Sequence, residues 1–454
     1  MSNLIPIKKN QSVNLIPLSK DRRFGTDGIR GPVDTTMNPL FVTKLGWAAG
    51  TILLEEGITR VLIGKDTRIS GYMLESALEA GFISSGIDVI LLGPLPTPGV
   101  SFLANSNKQA GVVISASHNL FEDNGIKFFN KDGQKFSSEL ERRIETKLSQ
   151  EIESVKSINL GKATRMNDAQ GRYIEFCKSP FKDLDLNGLS LLLDCAHGAT
   201  YSVAPKVFEE LGAKVTSIGT EPDGVNINQN CGSTNPEFIR EEILKGDYDL
   251  GISFDGDGDR ILLVSSTGKI LDGDDLLYIL SKDLSKESGV VGTLMTNKAL
   301  ELHFKQLNID FCRADVGDKY VLQKLLEKNW ILGGEPSGHL ICLDAVQTGD
   351  AIVAALKLLH SLKDNSFNVD ESVAGFNKLP QTLINLTVND PNNIILNEKF
   401  WSEVTLIENR LGEKGRVLIR PSGTEPLIRI MVESENQKES EDYSNKLADL
   451  ASKL

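Results

Sequence analysis

Leu250-Gly251-Ile252-Ser253-Phe254-Asp255-Gly256-Asp257-Gly258-Asp259-Arg260-Ile261-Leu262-Leu263-Val264 is a pair of short apolar runs joined by a loop of alternating aspartate and glycine. Leu250 to Phe254 and Ile261 to Val264 read as strands. Glycine lets the backbone between them curl, so the three carboxylates can converge. Oxygen-only ligands favour a hard cation. Around a divalent ion they leave one net negative charge, which Arg260 offsets so that a phosphate oxygen can also bind. Magnesium fits such a phosphoryl-transfer site. An EF-hand calcium loop needs a glutamate at its twelfth position, and counting from Asp255 that position is Ser266. The alternative is a solvated acidic turn.

Outward from this stretch, short apolar runs recur at Val61 to Ile63, Val112 to Ile114, Leu191 to Leu193 and Gly292 to Met295, each followed by a helix-like segment. After Leu193, Asp194-Cys195-Ala196-His197-Gly198-Ala199 leads to an amphipathic stretch with Val207, Phe208 and Leu211, a strand, loop and helix unit. The alternation predicts α/β domains. At 454 residues the chain exceeds what one core accommodates, so two to four domains are expected. The tail differs. Arg416 to Ile419 and Leu427 to Val432 read as two strands around a loop containing Gly and Pro, and Tyr443, Leu447, Leu450 and Leu454 recur at helical spacing, which predicts a smaller α+β domain. No repeat is visible by residue identity.

With 40% hydrophobic and 24% charged residues and no apolar run near the roughly 18 residues that span a bilayer, the chain reads as a soluble, cytoplasmic protein without a membrane partner. Residues 1–20 lack a signal-peptide core and are expected to be a flexible extension. Five scattered cysteines form no Cys-x-x-Cys pair, so neither a disulfide framework nor structural zinc is indicated. The net charge of −13 argues against nucleic-acid binding and means that any phosphate site rests on local cations and backbone amides.

Three further loops carry chemistry. Ile114-Ser115-Ala116-Ser117-His118-Asn119 follows a strand, with Asn124-Gly125-Ile126-Lys127 after it. Its small residues are expected to expose a hydroxyl, and a serine there can act as a nucleophile if His118 or Lys127 manages its proton; otherwise these residues supply turn hydrogen bonds. Gly333-Gly334-Glu335-Pro336-Ser337-Gly338-His339 offers acceptors and donors suited to a sugar ring, or else forms a structural turn. Arg420-Pro421-Ser422-Gly423-Thr424-Glu425-Pro426, with Arg429, makes a phosphate cradle without a Walker lysine, or a hairpin turn with surface arginines.

In this order the four loops resemble those of the α-D-phosphohexomutase superfamily, and the resemblance runs from Phe24 to the carboxyl terminus. Phe24-Gly25-Thr26-Asp27-Gly28-Ile29-Arg30-Gly31, Ile114 to Lys127 and Cys231-Gly232-Ser233-Thr234 look most like the branch that interconverts glucosamine 6-phosphate and glucosamine 1-phosphate for amino-sugar nucleotide and cell-wall precursor synthesis. The resemblance implies three related α/β domains and a carboxyl-terminal α+β domain of the TATA-box-binding-protein-like type around a central cleft. The corresponding boundaries are 21–168, 169–266, 267–376 and 377–454.

It also implies roles. Ser117 carries the phosphoryl group, and Asp255, Asp257 and Asp259 bind Mg2+ beside it, with the phosphate on Ser117 as a further ligand. Lys127 matches the general base or acid, His118 and Arg260 match electrostatic partners, and Arg30 matches an active-site arginine. Glu335, Ser337 and His339 match the sugar loop. Arg420, Ser422, Gly423, Thr424 and Arg429 match the site for the nonreacting phosphate. A sugar bisphosphate is the implied primer and intermediate, and a phosphosugar the small-molecule partner. Monomer and homodimer both remain open, as does a kinase or autophosphorylation as the source of the first phosphoryl group.

The chain departs from the pattern at Leu120, where the family commonly has proline, so a less rigid serine loop is expected. It departs again at Pro336, where the amino-sugar branch often has glutamine. Rival readings are a phosphomannomutase or phosphoglucomutase, a phosphatase that discharges phospho-Ser117 to water, and a noncatalytic sugar-phosphate sensor.

Overall fold

The computed structural model describes residues 22–285, 287–388, 390–421 and 427–454. The expected extension at 1–20 and, in the fourth loop, Ser422, Gly423 and Thr424 lie outside the described residues.

The described strands form four sheets in chain order. The first comprises β1 (Ile29–Pro32), β2 (Arg60–Lys65), β3 (Asp88–Pro94), β4 (Ala110–Ile114), β5 (Asp123–Phe129) and β6 (Ala163–Arg165), in the order β1-β5-β4-β2-β3-β6. The second holds β7 (Ser190–Asp194), β8 (Lys214–Ile218), β9 (Leu250–Phe254), β10 (Ile261–Ser265) and β11 (Ile270–Leu271), ordered β11-β10-β9-β7-β8. The third holds β12 (Gly289–Thr293), β13 (Asp310–Ala314), β14 (Leu332–Gly334) and β15 (Leu340–Cys342), ordered β13-β12-β14-β15. The last holds β16 (Gln381–Thr387), β17 (Arg416–Pro421) and β18 (Leu427–Glu433), ordered β16-β18-β17.

The first three sheets share one plan that residue identity does not reveal. Each has a parallel part whose strands are joined through helices, and an antiparallel hairpin beside it: β4–β5, β9–β10 and β14–β15. Each chemistry-bearing loop is the turn of such a hairpin, and the fourth connects antiparallel β17 and β18. Strands such as β4, β9 and β12 are buried along their whole length, which explains why they read as unbroken apolar runs rather than alternating ones. In β16, exposed residues alternate with half-buried ones, as in a sheet with a single covered face.

One local expectation shifts. Met295 lies outside β12, because Thr296 Oγ1 accepts from Thr293 N at 2.9 Å and turns the chain there. The β10–β11 hairpin carries the second sheet to Leu271.

One continuous apolar core runs through the first three sheets, from Leu62 and Val113 through Leu193 and Ile252 to Leu332 and Leu356. The fourth sheet has its own core of Phe400, Val404, Ile407, Ile430 and Leu447. Polar contacts help join it to the rest. Arg416 donates to Glu433 at 2.7 Å and to the carbonyls of Leu294 and Thr296 at 2.8 Å each, while Glu433 accepts from Lys298 N at 3.0 Å. Among the described residues no helix is long and apolar enough to cross a membrane, and all five cysteines are free.

Candidate active site

The β9–β10 turn brings one carboxylate oxygen each from Asp255, Asp257 and Asp259 to within 4.8 Å of one another, all buried. The turn is shaped by Asp255, whose Oδ1 accepts from the backbone N–H groups of Gly258, Asp259 and Arg260 at 3.1 Å each. Asp257 Oδ1 and Asp259 Oδ1 are buried without a hydrogen-bond partner among the described residues. Such orphaned anionic oxygens are costly, and a hard divalent cation would satisfy them. The residues therefore fit a metal ion. Electrostatics agree: burial, then the carboxylates of Asp259 and Asp257, push the Asp255 pKa well up, a repulsion that a cation would relieve.

The β4–β5 turn delivers Ser117 to this cluster. Its Oγ donates to Asp255 Oδ2 at 2.7 Å. The expected exposed hydroxyl is instead 1% exposed, because the first and second sheets close over it. Ser117 has φ 53°, a left-handed conformation unfavourable for a serine, and its N–H donates to Ser115 Oγ at 2.9 Å. Ser115 in turn donates to Asp66 at 2.6 Å.

Cations surround the cluster. Lys127 projects from β5 and reaches Asp257 at 2.7 Å, Asp27 at 2.9 Å and Asp259 at 3.4 Å. Burial acts to lower its pKa, but these carboxylates outweigh it and hold the amine above the usual lysine range. A lysine so held is charged at rest, so it neutralises the carboxylates and has a proton to give. His118 Nδ1 lies 3.5 Å from Ser117 Oγ, and burial, then Arg260 and Arg30, push its pKa down to about 4, so it is neutral at pH 7. Arg30 pairs with Asp27 and donates to the Ala116 carbonyl, and Arg260 Nε stands 3.9 Å from Asp259.

The β14–β15 turn packs against the metal loop. Gly338, at φ 88°, exchanges backbone contact with Ile261, whose N–H donates to the Gly338 carbonyl at 3.0 Å. Glu335 accepts from Gly317 N at 2.9 Å, and the Pro336 carbonyl accepts from Gly273 N at 3.1 Å. His339 lies 3.6 Å from both Asp259 and Asp318; burial opposes its charge, but these carboxylates raise its pKa to about 9. Ser337 is exposed. In the fourth sheet, Arg420 and Arg429 are direct cross-strand partners. Like charges placed opposite each other are unfavourable in a bare sheet, and an anion between them would reverse that sign.

Further residues to which sequence reasoning assigned no role complete the site. Asp27 links Lys127 to Lys135, which lies 2.5 Å from it and 2.7 Å from Asp318. Thr97 Oγ1 donates to Asp257 Oδ2 at 2.6 Å. Arg68 and Asn228 both bind the serine loop. Asp27 lies within the quoted motif Phe24 to Gly31 but was given no role there, and Arg68 is signalled by its place, with Asp66, directly after the buried strand β2. Leu120, expected to loosen the serine loop, has its carbonyl held by Arg68.

Four family models match the chain in succession: phosphoglucomutase/phosphomannomutase alpha/beta/alpha domain I over residues 21–154, domain II over 171–268, domain III over 272–379 and the C-terminal domain over 383–450. The chain is 52% identical over 444 residues to the phosphoglucosamine mutase of Legionella pneumophila (strain Corby), spanning 96% of this chain and 98% of that one. It is 52% identical over 432 residues to the phosphoglucosamine mutase of Aeromonas hydrophila, spanning 94% and 97%. Its fold is similar to that of a phosphoglucomutase/phosphomannomutase family protein from Burkholderia thailandensis, with a TM-score of 0.78 at 22% identity over 93% of this chain and 97% of that one. It is also similar to the Aspergillus fumigatus N-acetylphosphoglucosamine mutase, solved with GlcNAc-6P and magnesium, with a TM-score of 0.68 at 17% identity over 96% of each chain.

Proposed function

The chain belongs to the phosphoglucosamine mutases of the phosphohexomutase superfamily and is a phosphomutase, and from that premise we propose that Ser117 is the residue that carries the phosphoryl group between the 6- and 1-positions of glucosamine phosphate. The observation that carries this reading is Ser117 Oγ at 2.7 Å from Asp255, beside two buried carboxylate oxygens that have no hydrogen-bond partner among the described residues.

Asp255, Asp257 and Asp259, with a phosphate on Ser117, would hold magnesium, which would neutralise charge on the transferring oxygens. In the first half-reaction a free hydroxyl of the sugar phosphate bonds to phosphorus as the bond from phosphorus to Ser117 Oγ breaks. The hydroxyl proton passes to the departing serine oxygen through His118 or Lys127, the two candidate proton carriers. The bisphosphate then turns over, and its other phosphate returns to Ser117 by the reverse exchange. Arg30 and Arg260 face the transferring group. Glu335, Ser337 and His339 contact the sugar, while Arg420, Arg429 and the loop between them grip the nonreacting phosphate. The setting is cytoplasmic.

The test is a side-by-side assay of magnesium-loaded protein with glucosamine 6-phosphate, glucose 6-phosphate and mannose 6-phosphate, each primed with its bisphosphate. Preference for the amino sugar, lost in Ser117→Ala, is expected. Phosphate release without a 1-phosphate isomer would overturn the proposed route.

A further inference from the structure

Four hydrogen bonds close on two carbonyls of the serine loop. The Ser117 carbonyl accepts from Arg68 Nη2 and from Asn228 Nδ2, each at 2.9 Å. The Asn119 carbonyl accepts from the same two nitrogens, at 2.8 and 2.9 Å. Arg68 follows β2 in the first sheet, whereas Asn228 lies between β8 and β9 of the second. The loop is thus gripped from both sides of the junction across which Ser117 meets Asp255.

The two grips differ in character. Arg68 also donates to the carbonyls of Leu120 and Asp123 and pairs with Asp66, so it is built into the folding of its own domain. Asn228 is 5% exposed, and its Oδ1 has no partner among the described residues. Both hydrogens of its amide go to the serine loop, and no other hydrogen bond of that side chain explains its burial. The backbone of Asn228 sits at φ 58°, which asparagine tolerates better than most residues. Gly256 of the metal loop presses against the same point. A Cβ there would stand 2.6 Å from both Asn228 Nδ2 and the Ser117 carbonyl oxygen. The metal-loop backbone, the Asn228 amide and the Ser117 carbonyl are therefore in mutual contact.

We propose that Asn228 is a positioning residue for phosphoryl transfer, holding the left-handed Ser117 from the second domain so that Oγ stays aimed at the metal loop. The inference rests on Ser117 being the phosphoryl carrier. A strained conformation persists only when its surroundings over-determine it, and the bonds to Ser117 and Asn119 do so. Phosphoryl transfer depends chiefly on alignment, so losing one grip should slow the chemical step while leaving sugar binding in place.

The test uses the full chain with Asn228→Gly, which keeps the left-handed backbone and removes the amide, and Asn228→Asp, which keeps the shape but turns an oxygen toward both carbonyls. With glucosamine 6-phosphate, kcat is expected to fall about 10- to 100-fold while KM stays within about twofold. Single-turnover transfer from isolated phosphoprotein to that sugar should slow in proportion. Unchanged kcat in either folded variant, or a rise in KM alone, overturns the inference. Should Asn228→Gly fail to fold, Asn228→Asp and Asn228→Ser decide the same comparison. Ser117→Ala is assayed alongside: turnover in that variant sinks the assignment of Ser117, whereas a dead Ser117→Ala with full kcat in the Asn228 variants sinks only the positioning role.

Discussion

Thr97 Oγ1 donates to Asp257 Oδ2 at 2.6 Å, and Thr97 N donates to the Asp257 carbonyl at 2.9 Å, so a residue of the first domain orients the middle carboxylate of the second domain's cluster. With Oδ2 also bound to Lys127, Asp257 Oδ1 is the oxygen left without a partner among the described residues. Groups that orient metal ligands typically change affinity by about 10- to 100-fold when removed. Thr97→Val is accordingly expected to weaken magnesium binding by that order, with Thr97→Ser close to wild type. Titration of activity with magnesium, and direct manganese binding followed by electron paramagnetic resonance, would read it; equal affinity in Thr97→Val would contradict the assignment.

Ser117→Ala removes a loop hydroxyl and no core packing. Turnover is expected to drop by at least about a thousandfold, with a melting temperature within a few degrees of wild type. Intact-protein mass should show loss of the phosphorylated species. A variant that still acquires phosphate on the same loop would redirect attention to Ser115.

Asp350 gives a pH dependence with a defined sign. It is buried, accepts from Tyr173 at 2.9 Å and caps helix Ala351–Leu362, yet burial raises its pKa to about 6. The unfolded chain loses this proton nearer pH 4. From there to about pH 6 the unfolded state deprotonates first, so this group's contribution to stability falls as pH rises, by at most about 3 kcal/mol. Asp350→Asn can keep the cap and has no charge to bury. Its melting temperature relative to wild type should therefore climb between pH 4 and pH 7; a constant difference would refute the linkage.

Arg416 lies where the fourth sheet meets the third. Its removal strands the buried Glu433 carboxylate, a class of change that costs about 3–5 kcal/mol. Calorimetry of Arg416→Ala should show the carboxyl-terminal unit melting earlier, and Arg416→Ala combined with Glu433→Gln should be milder than Arg416→Ala alone. An unchanged thermogram would mean that the apolar contacts suffice.

Much of the site was legible because its chemistry is local. Asp255, Asp257 and Asp259 lie within five positions, so glycine spacing alone brings them together, and their flanking apolar runs are the buried strands β9 and β10. Lys127 was legible only as a candidate to manage the serine's proton; its burial in β5 and its pairing with Asp257, Asp27 and Asp259 came from the structure. The exposure of Ser117 was misjudged because it depends on another sheet closing over it.

The sequence by itself determined the α/β elements, the four loops and the donor types each offers, since periodicity and turn chemistry act over a few residues. Tertiary structure alone decided who meets whom. Thr97 and Asp257 are 160 residues apart, and Asn228 and Ser117 are 111 apart. No short-range pattern encodes such pairs; they arise because separately formed sheets bury their apolar faces in a common core, and that packing sets the loops against one another.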